Sequence, residues 1–228
     1  MNVTRLFLAA LFLSASLTTQ SLGQVVALND DSMGAKPPEG ATYLFHDSLA
    51  NWVKKGGDTP ATWPVRDGIL TVKGGDIQTR GRFGDFQLHV EFNVPLMPDK
   101  TGQARGNSGV YLGGIYELQI LDSYGLKLQD NDCGAIYKQI IPSVNACKPP
   151  LQWQTYDITF HAAKVKDGKT QRARLTVVQN GVKIIDDKEI SPTPGGVGGV
   201  KEGDKGPILL QDHGNTVQYR NIWIKPLD

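Results

Sequence analysis

The sequence predicts an all-β fold, an antiparallel sandwich or jelly roll. Three observations carry this. Roughly a dozen short runs alternate apolar and polar residues at regular spacing. Two Asp/Asn-Gly pairs sit between such runs, at Asp67-Gly68 and Asn180-Gly181, where a type I′ hairpin turn needs them. No stretch has a convincing amphipathic helical period, and the abundant Gly and Pro suit many turns.

The chain has 228 residues, enough for one large domain. It is organised as residues 1–23, 24–40 and 41–228. The first segment reads as a signal peptide: Arg5 is its positive charge, Leu6 to Leu17 its apolar run, and Ser21-Leu22-Gly23 a small-x-small cleavage site. The run is too short to span a bilayer comfortably, so no membrane association is expected after cleavage, and the mature protein is expected in the periplasm or outside the cell. Residues 24–40 have no period and contain Lys-Pro-Pro-Glu-Gly; they read as an arm or linker. The formal charge of +1 falls to zero without Arg5, which argues against a nucleic-acid partner.

The remaining elements follow in order. Thr42 to His46 reads as a strand, and Trp52 as core. The first hairpin is Thr62 to Arg66 with Ile69 to Lys73. Ile77 to Arg80 is a short strand. In Phe86 to Val94, Phe86, Leu88, Val90 and Phe92 share one face and Gln87, His89, Glu91 and Asn93 the other. Arg105 to Tyr124 reads as two adjacent strands. Tyr116, Leu118 and Ile120 form an apolar face there, while Glu117 and Gln119 stand side by side on the opposite one. Gly109, Tyr111 and Gly113 share a parity in the preceding strand. Such a face is a floor for a polar ligand, or simply a solvated strand surface. Gln129 to Pro150 is a long irregular segment, the kind that borders a site or is pinned by a disulfide. Trp153 to His161 is a strand; Ala173 to Gln179 and Val182 to Asp186 form the second hairpin; Pro192 to Gly206 is a glycine-rich loop. That loop lacks Gly-Lys-Ser/Thr and a following helix, so it is no phosphate cradle. Pro207 to Gln211 and Val217 to Lys225 close the series.

The chain has two cysteines, Cys133 and Cys147. For an exported protein their pairing as a disulfide is the leading expectation. A metal site is the alternative, with no His or third Cys at ligand spacing to support it.

Four stretches match a known pattern: Gly106 to Gly125, Cys133 to Phe160, Leu175 to Ile184 and Gly206 to Ile224. From about Ala41 to the end the chain resembles the family once known only as domain of unknown function 1080, now described as 3-keto-disaccharide hydrolases, or 3-keto-glucoside 1,2-lyase and 3-keto-2-hydroxy-glucal hydratase domains. The resemblance implies a concanavalin A-like jelly roll, export, and a glycoside or oligosaccharide substrate. It also implies elimination: a ketone at sugar C3 acidifies the C2 proton, one base removes it, the C1 substituent leaves, and water adds.

That chemistry asks for a base, a stabiliser of the enolate and an acid. His213, Glu117 and Asp122 are the titratable candidates, with His213 preferred as base because it shares parity with Gln211. Asp122 has the parity of the apolar face and acts only if the strand ends before it; otherwise it caps a turn with Ser123. Gln119, Gln211, Asn107, Arg105 and Lys138 are candidates for binding hydroxyls or negative charge. Tyr111 either stacks on a sugar ring or packs under a loop. His89 and His161 lie on strands without convergent partners. No cofactor is required by the sequence; a divalent ion held by Glu117, Asp122 or His213 is compatible, but no ligand motif demands one. A conventional glycosidase needs a second carboxyl, and the alternating position holds Gln119 instead. A noncatalytic carbohydrate-binding module is the remaining alternative.

Overall fold

The computed structural model describes residues 32–228; the expected signal peptide and the start of the arm lie outside them. Among the described residues there are fifteen strands and one short 3-10 turn, Gly102–Ala104. The strands are β1 (Thr42–Phe45), β2 (Trp52–Lys54), β3 (Val65–Arg66), β4 (Ile69–Thr71), β5 (Ile77–Thr79), β6 (Phe86–Asn93), β7 (Ser108–Leu112), β8 (Tyr116–Ile120), β9 (Gln154–His161), β10 (Lys164–Lys166), β11 (Lys169–Gln171), β12 (Ala173–Gln179), β13 (Val182–Ile190), β14 (Leu209–Leu210) and β15 (Gln218–Pro226).

The eight-stranded sheet runs β13-β12-β9-β6-β15-β4-β3, with β1 also pairing β15. The five-stranded sheet runs β2-β5-β14-β7-β8. All pairings are antiparallel, and the two sheets form the concanavalin A-like jelly-roll sandwich. Both hairpin turns read from the sequence are present, with positive φ at Asp67 and Gly68 and at Asn180 and Gly181. A third, at Asp167-Gly168, joins the exposed β10–β11 pair, which the sequence reading passed over.

The apolar parities meet between the sheets. Phe86 stacks on Phe160 at 4.9 Å, Phe92 on Tyr156 at 4.7 Å, and Tyr116 reaches Phe160 from the other sheet at 5.5 Å. Ser108 ties the layers by a hydroxyl contact to Tyr219 (2.7 Å).

The outward face of β6 is buried as well, which corrects the reading of His89. His89 Nδ1 lies 2.7 Å from Asp157 and its Nε2 3.5 Å from Glu91, and its ring stacks on Trp223. Glu91 accepts from Arg220 Nε (2.6 Å), Asn221 Nδ2 (2.8 Å) and the Gly34 amide (2.7 Å). A bulge in β15 lets the neighbours Arg220 and Asn221 both point outward, where a regular strand would alternate them. Arm residues close this cluster: the Ala35 carbonyl accepts from Asn221 and Trp223. Burial by itself would raise Glu91, but the hydrogen bonds from His89, Asn221 and Arg220 outweigh it and hold its pKa down to about 2.

The expected disulfide is not present in this structure, although the fold brings its two members together: Cys133 and Cys147 are both buried free thiols within hydrogen-bond reach of each other. Cys133 also contacts the Tyr156 hydroxyl (3.1 Å), and Gln179 Nε2 donates to both sulfurs. Their mutual hydrogen bond and their burial raise the Cys147 pKa well above the usual thiol range.

The glycine-rich loop before β14 packs backbone to backbone on the turn between β7 and β8. Val197 N–H donates to the Gly114 carbonyl (2.7 Å) and Thr193 N–H to the Ile115 carbonyl (2.8 Å). A Cβ on Gly206 would collide with the Gly113 carbonyl, so only glycine permits this approach. Gly206→Ala is expected to destabilise the protein by about 1–3 kcal/mol, the usual range for overpacking, in equilibrium urea unfolding.

Candidate active site

Strand register builds the site. In the β7–β8 pair, Tyr111 stands opposite Glu117 and Gly109 opposite Gln119. The Gln211 amide donates to the Gly109 carbonyl (2.9 Å), bringing Gln211 onto the same face. A Cβ at Gly109 would come within 2.8 Å of Glu117 Oε1 and 3.4 Å of Gln211 Oε1. Glycine there leaves bare backbone under both oxygens.

This face is not an open floor. Loops bury it and leave a cavity of about 150 Å³, lined by Gln103, Asn107, Tyr111, Glu117, Gln119, Tyr137, Pro194, Gly195, Gln211 and His213. Five of the expected residues therefore converge with His213: Glu117, Gln119, Asn107, Tyr111 and Gln211. His213 is exposed at the mouth, and no described residue hydrogen-bonds its ring.

Asp122, Arg105 and Lys138 do not line this cavity. Asp122 follows the end of β8, where Arg105 pairs with its carboxylate at 3.2 Å and also donates to its carbonyl. Lys138 is exposed and pairs with Asp130 at 3.1 Å. Tyr111 takes the second of its two expected roles: it packs under the loop, where the Pro194 carbonyl is 2.8 Å from its hydroxyl.

Three contributors were missed. Tyr137 follows Ile136, which bridges Leu118; the alternation puts Tyr137 on the Glu117 face, and the Tyr137 amide donates to the Glu117 carbonyl (3.2 Å). The Ile136–Leu118 bridge that sets this alternation joins distant segments, so the sequence of Tyr137's own neighbourhood does not show it. Gln103, on the 3-10 turn, and the Pro194-Gly195 backbone had no local signal, because the fold alone carries them to the cavity.

The amides are oriented by each other. Gln119 Nε2 donates to Gln103 Oε1 (3.1 Å) and Asn107 Oδ1 (3.3 Å); Asn107 Nδ2 donates to the Gln103 carbonyl (2.7 Å). These bonds turn Gln119 Oε1 away from them, and it is buried without a partner, as is Gln211 Oε1. Two buried acceptors left unsatisfied are costly for stability and suit a ligand rich in hydroxyl donors.

Glu117 is 4% exposed. Its desolvation is the largest influence and raises its pKa to about 7, against the lowering effect of the Tyr111 hydrogen bond (2.9 Å). Tyr111 has one proton and two acceptors, Glu117 Oε2 and the Pro194 carbonyl. With Glu117 ionised, Tyr111 donates to it. With Glu117 protonated, the acid donates to Tyr111, which then donates to Pro194. Both states are served, as a group exchanging a proton near neutrality requires. Of the three expected candidates for holding a divalent ion, Asp122 is diverted to Arg105, while Glu117 and His213 both line the cavity. No three acidic, His or Cys groups gather as a metal site among the described residues.

The raised pKa makes a stability prediction. Below about pH 4.5, Glu117 is protonated in both folded and unfolded chains. Between that value and about 7 the unfolded chain loses the proton first, so stability falls as pH rises; above about 7 the penalty is constant, on the order of 3 kcal/mol. The melting temperature of Glu117→Gln relative to wild type is expected to climb between pH 4.5 and 7.5. A pH-independent difference would contradict the raised pKa.

Comparison with known proteins gives the family and the fold. Residues 40–225 match the family model described as a 3-keto-alpha-glucoside-1,2-lyase-like domain. A protein of Bacteroides thetaiotaomicron described as a 3-keto-disaccharide hydrolase is 26% identical over 236 residues, covering 83% of this chain and 79% of its own. A crystal structure from Parabacteroides distasonis, provisionally named a glycosyl hydrolase, is 38% identical, with a TM-score of 0.77 over 93% of this chain and 95% of that one. Another from the same organism, at 22% identity and a TM-score of 0.60, shares the fold. With nearly all of the sandwich matched, the chain belongs to the 3-keto-alpha-glucoside-1,2-lyase-like domain family.

Proposed function

We propose that this protein cleaves 3-keto-glycosides by elimination, with Glu117 as the base. The observation that carries the reading is a single buried carboxyl of near-neutral pKa, facing two unpartnered amide oxygens in a cavity the size of one sugar ring. The family membership and the name of the Bacteroides relative support the substrate class.

In the proposed reaction the Glu117 carboxylate takes the proton from C2. The C–H electrons form the C2=C3 bond of an enolate, and the charge moves to O3. Tyr137, whose hydroxyl has no partner among the described residues, supplies an O–H donor for that oxygen. The enolate then reforms the ketone and expels the C1 substituent, leaving a C1=C2 double bond. His213 at the mouth gives a proton to the departing oxygen. Water adding across the double bond completes a net hydrolysis. Gln119 and Gln211 accept hydrogen bonds from ring hydroxyls. These roles exchange the expected order, in which His213 was the base, because Glu117 is the group enclosed with the ring.

A conventional glycosidase would need a second carboxyl in the cavity. Among the described residues Glu117 is the only carboxyl lining it; Asp76 nearby is held by Lys55 (2.9 Å) and the Asp212 amide (2.8 Å). The same proposal places the protein outside the cytoplasm, on the leader-like residues 1–23.

Purified protein is to be incubated with a 3-keto-glucoside and with its unoxidised parent. Release from the keto compound alone is expected, with kcat/KM falling on the acidic side of about pH 7 as Glu117 takes up its proton. Release from the parent would indicate an ordinary glycosidase; binding without release from either would indicate a binding module. In a second measurement, Glu117→Gln is expected to lose about 10²–10⁴-fold in kcat, the usual contribution of a general base.

A further inference from the structure

A second, larger and more open chamber, a surface depression of about 520 Å³, adjoins the first. The two share Gln103 and His213 as common lining residues. Gln103 is a fixed partition. Its side-chain N–H donates to the Asn131 carbonyl (2.7 Å), its Oε1 accepts from Gln119, and its own carbonyl accepts from Asn107. The outer wall is tied to the inner one: Asn215 Oδ1 accepts from the Asn107 amide (2.8 Å), and the Met97 sulfur accepts from the Gly106 amide (3.3 Å).

The chemistry of the two chambers differs. The inner one is amides, a carboxyl and phenol hydroxyls. The outer one has Met97 and Ala104 as apolar contacts, no aromatic ring of the kind sugars stack on, and no carboxylate. Lys100 lines it, and its ammonium pairs with no described acid. We infer that the outer chamber receives the leaving group, and that it selects an apolar, non-sugar leaving group carrying a negative charge, such as an aryl carboxylate. The inference rests on the proposed elimination, in which His213 stands between ring and leaving oxygen. The shared His213 and Gln103 place the boundary between chambers where the scissile bond must lie.

The test compares 4-carboxyphenyl and 4-carbamoylphenyl 3-keto-glucosides, near-isosteres differing in charge. Dissociation constants are measured by calorimetry on Glu117→Gln, and cleavage on wild type. The carboxylate is expected to bind about 3–5-fold tighter at low salt, the range for an exposed ion pair. Lys100→Ala, an exposed position, is expected to erase that preference. Met97→Ala is expected to weaken both aryl ligands more than free 3-keto-glucose. Equal binding of the two aryl ligands, or a preference that survives Lys100→Ala, overturns the inference even if both are cleaved. Failure of wild type to cleave either one overturns the elimination reading, and with it the assignment of this chamber to a leaving group.

Discussion

The pairing of Tyr111 with Glu117 across β7 and β8 is the contact on which the site depends. A shift of β8 by one residue would turn Glu117 into the sandwich and bring Leu118 out beside Tyr111 instead. The apolar parity, fully buried against the other sheet, prevents that shift. With the register set, Gly109 clears the space in front of the carboxyl, and Gln211 arrives through its backbone bond to Gly109. The loop from Pro192 to Gly206 can then close over Tyr111, because glycines let it lie directly on the β7–β8 turn.

Two buried glutamates show how the same side chain is put to different uses. Glu91 on the eight-stranded sheet meets Arg220, Asn221 and His89 and is held ionised. Glu117 on the five-stranded sheet meets only a phenol, and burial dominates, so its proton is held until near neutrality. The difference is the presence of hydrogen-bonded cationic partners at Glu91 and the heavier desolvation of Glu117. The first arrangement fastens the arm to the sheet through Gly34 and Ala35. The second leaves a group able to accept a proton from a ligand.

Several parts of the site were legible before the fold was known. Alternation placed Tyr111, Glu117 and Gln119 on one surface, and Gln211 and His213 on one parity. Reading failed where a partner came from far along the chain. Asp122 looked available until Arg105 was found beside it. His89 looked isolated, but Asp157 lies on the neighbouring strand β9 and the arm covers both Glu91 and Trp223. Cys133 and Cys147 do lie side by side, as buried free thiols that share Gln179 as a donor, and Tyr156 arrives at Cys133 from β9.

The sequence by itself determined the all-β class, the main hairpins and the two-faced character of the central strands. These rest on local physics: side chains alternate along a strand every residue, and Asp-Gly and Asn-Gly adopt the positive φ angles of tight turns. Only the tertiary structure decided that the polar face is the buried floor of a loop-walled pocket rather than a wetted surface. It also decided that Glu117 is the carboxyl whose proton is held near neutrality, and that Gln103 and Tyr137 wall it in. Desolvation and hydrogen-bond supply at a given atom are set by groups that folding assembles from distant segments, and no local pattern encodes their sum.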